Sequence, residues 1–477
     1  MSLIRKNFIY NNLLGFTNVI VPIIIFPYIS RVFGPEGLGI VSFAISLTAS
    51  FIMIASLGIP IYGIREIAKV KNDPEQLSKT YSEILLIQLV WLIVSLFIYG
   101  GWIFFSKTFT DEPIIQWVSF VHIVGMIGLL HWFYQGIENY KFITTINVLI
   151  KLLTIGLLYS LVTKQEEYWL YYMIVVGATL LGSIISILYS FRYVSFQYRS
   201  LSFRRHFKSI GILFGTQLAI GIYINLDVVF LKYLSNDEQV GFYAPAKKLA
   251  KVCLLVITSL GTVLIPRLSE YIKQGELKKT QELISKSIRF VLILSLPIMV
   301  LLIMLAPEII SIFAGPAFND SILLLQYLVP LIILIGMSNI FGLQILVPFH
   351  KENQLMIAVL IGAVISLVLN ILLIPSLESL GAVYAILATE FVITILTFIV
   401  ARKIISIKVS LKALLSYSIL ALLIIPVCWS MDIYFEGWVF LGVASILSFI
   451  IYTGGLFLLR DSFFINTIWN PIFKSKK

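Results

Sequence analysis

The sequence predicts an all-α integral membrane protein with about fourteen transmembrane helices. Three observations carry this. The 477 residues are 59% hydrophobic and only 12% charged, where a soluble domain carries about 25% charged residues. The apolar residues fall into stretches of about 20, the length that crosses a bilayer as a helix. Lys and Arg concentrate in every second connecting segment, which is the pattern of positively charged cytoplasmic loops.

Taken in order, residues 1–10 (MSLIRKNFIY) run straight into the first apolar stretch with no small-residue cleavage site, so no cleavable signal is expected. The spans lie near 11–33, 38–63, 80–104, 114–136, 142–163, 168–190, 210–234, 241–267, 287–313, 321–348, 353–374, 380–401, 411–431 and 437–459. With the N-terminus inside, the inside segments hold 27 of the 35 Lys and Arg, and the outside segments hold four, Arg31, Lys107, Lys164 and Lys232. The other four, Lys151, Lys247, Lys248 and Lys251, fall within spans. Both termini are therefore expected in the cytoplasm. The net charge of +11 belongs to loops that orient the chain and face anionic headgroups, so nucleic acid is not an expected partner.

The sequence also excludes chemistry. Its longest loops, such as 191–209 and 267–289, are about twenty residues and too short for a soluble catalytic domain. No GxxxxGK[ST] nucleotide loop, HExxH motif or paired Cys/His cluster is present. Cys253 and Cys428 lie in apolar runs without CxxC spacing, which supports neither a disulfide nor a metal site. His122, His131, His206 and His350 are scattered and read as packing or hydrogen-bonding residues. No cofactor, no metal and no enzymatic activity are expected.

One kind of corner is written twice. PYISRVFGPEGLGIVSFA (27–44) and KYLSNDEQVGFYAPA (232–246) each leave an apolar helix through a polar turn and restart on a Gly-aromatic step. Aligning Gly39 with Gly241 sets Arg31 beside Lys232, and the same offset brings SLGIPIYGIRE (56–66) onto SLGTVLIPRLS (259–269). Each corner ends an odd-numbered span, the first and the seventh, so a six-helix unit is expected twice, with two helices appended. That divides the chain into an N-terminal lobe at 1–209, a C-terminal lobe at 210–410 and a final part at 411–477. Parallel repeats of this sort build transporters whose site lies between two lobes.

NFIYNNLLGF (7–16), the 27–44 corner, GIPIYGIREIAK (58–69), the INLDVVFLKYL…VGFYAPAKKL run (224–249) and NILLIPSLESLGAVYAILATE (370–390) resemble the polysaccharide transporter family. This is the Wzx-type branch of the multidrug/oligosaccharidyl-lipid/polysaccharide exporter superfamily. The resemblance covers spans 1 to 12. It implies two six-helix lobes facing each other in a V, in the bacterial cytoplasmic membrane. It implies flipping of an undecaprenyl-diphosphate-linked oligosaccharide to the outer leaflet by alternating access. The partners it implies are that lipid-linked glycan, membrane lipids, a polysaccharide polymerase and a chain-length regulator.

The residues bear on that task independently, because ionisable groups inside spans are costly and face a cavity or a partner. Thr144, Asn147, Lys151 and Thr154 share one face of span 5, with Lys151 near the midplane. Lys247, Lys251, Thr258 and Thr262 share a face of span 8, with Lys248 beside it. Glu390 is mid-span in span 12, and Asp227 lies towards the outer end of span 7. The interior is thus net positive, suited to a diphosphate. The candidate substrate-binding residues are Lys151, Lys247, Lys248, Lys251, Asn147 and Arg31. The competing readings are that Lys247 and Lys248 reach the outer headgroups, that Lys151 pairs with Glu390 or Asp227, and that Arg31 is an interfacial anchor. Glu390 and Asp227 are the candidates to carry a coupling proton or sodium ion, against a role in a structural ion pair. The alternative within the same superfamily is a flippase for the cell-wall lipid precursor or teichoic acids, which shares the fold. Two other function classes are weaker on the sequence, since a cation antiporter would want an acidic cavity and a membrane polymerase or ligase a larger external loop.

Overall fold

Lipid offers no hydrogen bonds, so a backbone crossing it must bond to itself, and the apolar stretches fold as helices. The computed structural model describes residues 3–106, 112–198, 201–407 and 410–470. In chain order its α-helices are α1 (Leu3–Ser56), α2 (Ile59–Val70), α3 (Pro74–Ser106), α4 (Pro113–Gly128), α5 (His131–Gly136), α6 (Tyr140–Leu161) and α7 (Tyr168–Ser190). There follow α8 (Arg204–Leu234), α9 (Asp237–Lys273), α10 (Leu277–Met304), α11 (Ala306–Phe313), α12 (Asp320–Leu328) and α13 (Leu331–Asn339). The last are α14 (Glu352–Ile404), α15 (Leu411–Leu422), α16 (Ile424–Asp432) and α17 (Gly437–Leu458). A π-helical segment, Ile340–Leu346, extends α13.

Among the described residues, ten helical stretches are long and apolar enough to cross a membrane. Two of them, Ile9–Val70 and Glu352–Ile404, run to 62 and 53 residues. At about 1.5 Å per residue each is long enough for two crossings of a hydrocarbon core about 30 Å thick. Both are broken where that second crossing requires it. In α1 the break is Gly34 (φ 66°, ψ −174°), just before Pro35. In α14 it is Glu378 (φ 51°), after Pro375. The two halves of α14 then lie against each other, since a methyl on Gly362 would meet Ile393 at 2.5 Å and one on Gly381 would meet Leu373 at 2.6 Å.

Sequence spacing treats 114–136 as one span, and Pro113–Gly136 is one stretch long and apolar enough to cross a membrane, with a turn inside it at Leu130 (φ 51°) between α4 and α5. A left-handed conformation costs a β-carbon-bearing residue about 1–2 kcal/mol. Here it lets Trp132, Phe133 and Tyr134, each at most 3% exposed, all enter one core with Leu57, Ile59, Tyr62 and Tyr81. Full burial of one aromatic outweighs that cost. The space for Trp132 comes from Gly63 of α2, where a methyl would sit 2.6 Å from the indole.

The chain divides into two units, Met1–Gly241 and Phe242–Lys477. The aromatic core just described belongs to the first. In the second, Ile288, Val291 and Leu292 of α10 form the centre of a core that also takes Ile332 of α13, Tyr417 of α15 and Tyr452 of α17. The hydroxyl of Tyr452 donates to the carbonyl of Ile293 at 2.9 Å. The last helices are therefore fixed to α10 by both apolar and polar contacts.

Within the first unit, the two matching corners of the sequence meet. A methyl on Gly39 would lie 1.8 Å from the carbonyl oxygen of Asp237, and one on Gly241 would lie 1.8 Å from the carbonyl oxygen of Pro35. Each glycine thus seats the carbonyl four residues ahead of the other. The contact is reciprocal about the alignment of Gly39 with Gly241.

Candidate functional site

In the first unit the polar face of α6 points at the N-terminal half of α1. Thr144 Oγ1 donates to the carbonyl of Tyr10 at 2.9 Å. Lys151 Nζ donates to Asn18 Oδ1. Tyr159 donates to the carbonyl of Ile24 at 3.4 Å, and Tyr28 to the carbonyl of Val162 at 2.6 Å. From 144 to 162 α6 rises about 27 Å while its partners on α1 advance from 10 to 28, so these bonds stitch two parallel helices across most of a hydrocarbon core. Lys151 lies inside that ladder. A cation there needs polar company, and Asn18 supplies it. One turn earlier, Asn147 Oδ1 is buried and accepts no hydrogen bond from any described residue. Thr154 turns away and bonds its own helix, to the carbonyl of Ile150. The arrangement offers a cation beside an open amide acceptor, the pair that a phosphate oxygen and a sugar hydroxyl would use.

The other candidates sit on separate elements. Arg31 is exposed on α1 and returns one N–H to the carbonyl of Pro27 at 3.0 Å, near the end of the first half of the helix. That is a C-terminal capping contact. At the matching corner Lys232 pairs with Asp237, across the turn from α8 to α9. Asp227 of α8 is 1% exposed, and its Oδ1 accepts the N–H of Val228 at 2.8 Å. In the second unit Lys247 of α9 is largely buried, its ammonium 5.4 Å from the ring centre of Tyr243 in a cation–π contact. Lys248 is half-buried and Lys251 exposed on the same helix. The Thr262 side chain, named with them in the sequence, lies outside the described residues.

Glu390 is buried on α14 at 4% exposure, and no described residue forms an ion pair with it. Thr394, one turn on, bonds both the Glu390 carbonyl and, at 3.1 Å, the carbonyl of Leu334 on α13. Elsewhere in this unit Gln344 Oε1 of the π-helical segment and Asn370 Oδ1 of α14 are buried acceptors without a donor among the described residues. An uncompensated buried carboxylate is costly, and a bound cation removes that cost.

Two features escaped sequence reasoning. Asn18 is one; its signal was an amide inside an otherwise apolar span. The other is a buried network on the first unit. Glu83 of α3 is fully buried and accepts from His206 Nε2 at 2.8 Å, from Arg205 at 2.5 Å and from the Ser202 N–H at 2.7 Å. Tyr62 meets His206 Nδ1 at 2.5 Å. Ser78 and Ser82 accept the N–H groups of Ser195 and Gln197. Together they fasten the segment between α7 and α8 along α3. Among the described residues no group of three or more His, Cys, Asp or Glu side chains could hold a metal ion.

Helices broken to make paired crossings, with polar and cationic side chains inside them, define the class: an all-helical membrane transporter. Comparison with known proteins places it further. Residues 4–272 match the model of the polysaccharide biosynthesis protein family, more than half of the chain, and the protein belongs to that family, a branch of the multidrug/oligosaccharidyl-lipid/polysaccharide exporter superfamily. A second model, described as MatE, matches residues 213–372. A protein of Escherichia coli (strain K12) that carries the name O-antigen transporter is 23% identical over 84% of this chain and 97% of its own. The stage V sporulation protein B of Bacillus subtilis (strain 168) is 23% identical over 84% of this chain and 82% of its own. The fold is similar to that of a lipid II flippase, MurJ, in an inward closed conformation, with a TM-score of 0.69 at 16% identity over 95% of this chain and 99% of that one.

Proposed function

We propose that this protein flips an undecaprenyl-diphosphate-linked oligosaccharide from the inner to the outer leaflet of a bacterial cytoplasmic membrane. The lobes expected at 1–209 and 210–410 would provide alternating access, with both termini in the cytoplasm. The observation that carries this reading is the pairing of a membrane-depth cation with an open acceptor: Lys151, held by Asn18, beside the unsatisfied Oδ1 of Asn147. Family membership supports the same reading, as does similarity to relatives that carry the name of O-antigen transporters. The span-8 lysines would add positive charge for the diphosphate, and Arg31 would stand at the outer mouth. A drug or cation antiporter on the same fold is disfavoured, because the four lysines within spans outnumber Asp227 and Glu390.

The energy source in this reading is an ion gradient, with Glu390 its carrier, because no nucleotide-binding motif offers another. Polymerase and chain-length regulator act on the product outside. The test is a null mutant. Loss of surface polysaccharide with lipid-linked precursor accumulating on the inner face supports the reading. Normal export, or export lost without precursor accumulating, refutes it.

A further inference from the structure

A cavity of about 780 Å³ opens in the second unit, lined by none of the residues assigned above. One wall is a stripe of α10, Lys278, Glu282, Ser285, Lys286 and Arg289, spaced so that all face one side over about 16 Å of helix. The facing wall is made by Ser410, which caps the N-terminus of α15 by accepting from Ala413 N–H at 3.2 Å, and by Ser462 and Asn466. Phe463, 5% exposed, closes the floor.

The charges here are not spent on each other. Among the described residues Lys278, Lys286 and Arg289 form no ion pair, although Glu282 lies one turn from both lysines. Asp461, next in the chain to Ser462, is engaged elsewhere: it accepts the Tyr417 hydroxyl at 2.9 Å and the Phe464 N–H at 2.7 Å. Three cations and one carboxylate therefore face a space ringed by hydroxyl and amide groups. The N-terminus of α15 adds its positive end. Oxygen anions with several acceptors satisfy such a ring, whereas a cation or a neutral ligand leaves its donors unmet.

We propose that this cavity is a binding site for a phosphate-bearing anion, taken from a lipid headgroup or from solution, that ties α10 to the start of α15 and to the segment after α17. The site shares no residue with the proposed transport site and does not depend on which glycan is carried.

The test uses the full-length protein in neutral detergent, with two probes: inorganic diphosphate, and short-chain phosphatidic acid set against phosphatidylcholine. Native mass spectrometry counts bound molecules, and thermal unfolding reads the stabilisation that binding confers. One saturable phosphate-bearing adduct is expected, with affinity falling as salt rises. Lys286→Ala with Arg289→Ala should weaken it at least tenfold per cation removed. Lys278→Ala with Lys286→Ala, at two exposed positions, should do the same without disturbing the fold. Lys279→Ala, whose lysine pairs with Glu276 outside the cavity, should leave it unchanged. Binding of diphosphate alone assigns a soluble ligand, and binding of phosphatidic acid alone a lipid headgroup; either supports the site. The proposal falls if neither probe saturates, if phosphatidylcholine binds equally, or if both double variants bind as the wild type does.

Discussion

The reciprocal glycine crossing makes a quantitative prediction. In Gly39→Ala the new methyl would stand 1.8 Å from the carbonyl oxygen of Asp237 and 2.7 Å from its carbon. Carbon–oxygen contacts between packed helices settle at about 3.3–3.6 Å, so the backbones must part by about 1.5 Å. The obstacle is main chain, and no rotamer change relieves it. Overpacking of this kind costs about 1–3 kcal/mol, here near the upper end, and better helix propensity returns about 1 kcal/mol. A net loss of about 2 kcal/mol is expected, and the same for Gly241→Ala. The two should not add. Either methyl already separates the same pair of backbones, so the second meets an opened contact, and the double variant should lose little more than one. The coupling should approach about 2 kcal/mol, within the range for residues in contact. The assay is reversible unfolding in detergent for wild type, both singles and the double. Additive losses, or singles that unfold with the wild type, would refute the crossing as described.

Four further outcomes are expected. Lys151→Ala should cut export tenfold or more, as loss of a charge-assisted contact to substrate would, with Lys151→Arg milder at equal protein level; equal loss in both would mean packing. Glu390→Gln should abolish the gradient dependence of transport in vesicles, and persistence of that dependence removes Glu390 from coupling. A cysteine at Lys164 should react with an impermeant thiol reagent in intact cells while one at Lys278 should not; the reverse overturns the orientation. Glu83→Gln should cost about 2 kcal/mol, because the charge is lost and the one remaining oxygen cannot serve both Ser202 on one side and Arg205 with His206 on the other, while Arg205 stays half-exposed. It should also speed proteolysis between α7 and α8, and a cleavage rate equal to wild type would count against the buried network.

The helices were legible because lipid removes the alternatives. A long apolar stretch has one backbone solution, so length and loop charge were enough to find α3, α6, α7 and α17, whereas the span expected at 287–313 begins inside α10 and runs on into α11. The breaks were legible only where chemistry advertises them. Gly34 before Pro35 announces its turn, and so does Pro375 near Glu378. Leu130 does not. Nothing in a leucine marks a left-handed residue, and the turn exists because three aromatics fifty or more residues from their core partners Tyr62 and Tyr81 gain burial by it. That is a tertiary cause, absent from any local window.

The same distinction governs the site. Lys151 and Asn147 could be paired from sequence because one helix period brings them together, whereas Asn18 stands 133 residues away from its lysine. The Glu83 network is harder still. Its carboxylate and His206 are separated by 123 residues, and each alone reads as an ordinary loop-end residue. One clue was available: α3 places Ser78, Ser82 and Glu83 on neighbouring positions of successive turns, an acceptor-rich strip at the end of an apolar helix. Such a strip has two possible fates. Left to solvent it needs no partner. Covered, it must receive donors, and the backbone N–H groups of an extended segment are the commonest donors without one of their own. The chain supplies them at Ser195, Gln197 and Ser202. At Ser195, Gln197 and Ser202 the segment entering α8 is thereby held by its backbone, with Val194 buried in the aromatic core, so the Gln197 side chain can change without releasing it, whereas a change at Glu83 cannot be absorbed. Substitutions of the Gln197 side chain should accordingly leave both stability and export intact, and a Gln197→Pro variant, which deletes the donated N–H, should not. Equal behaviour of Gln197→Ala and Gln197→Pro would mean that side chains rather than backbone hold this segment in place.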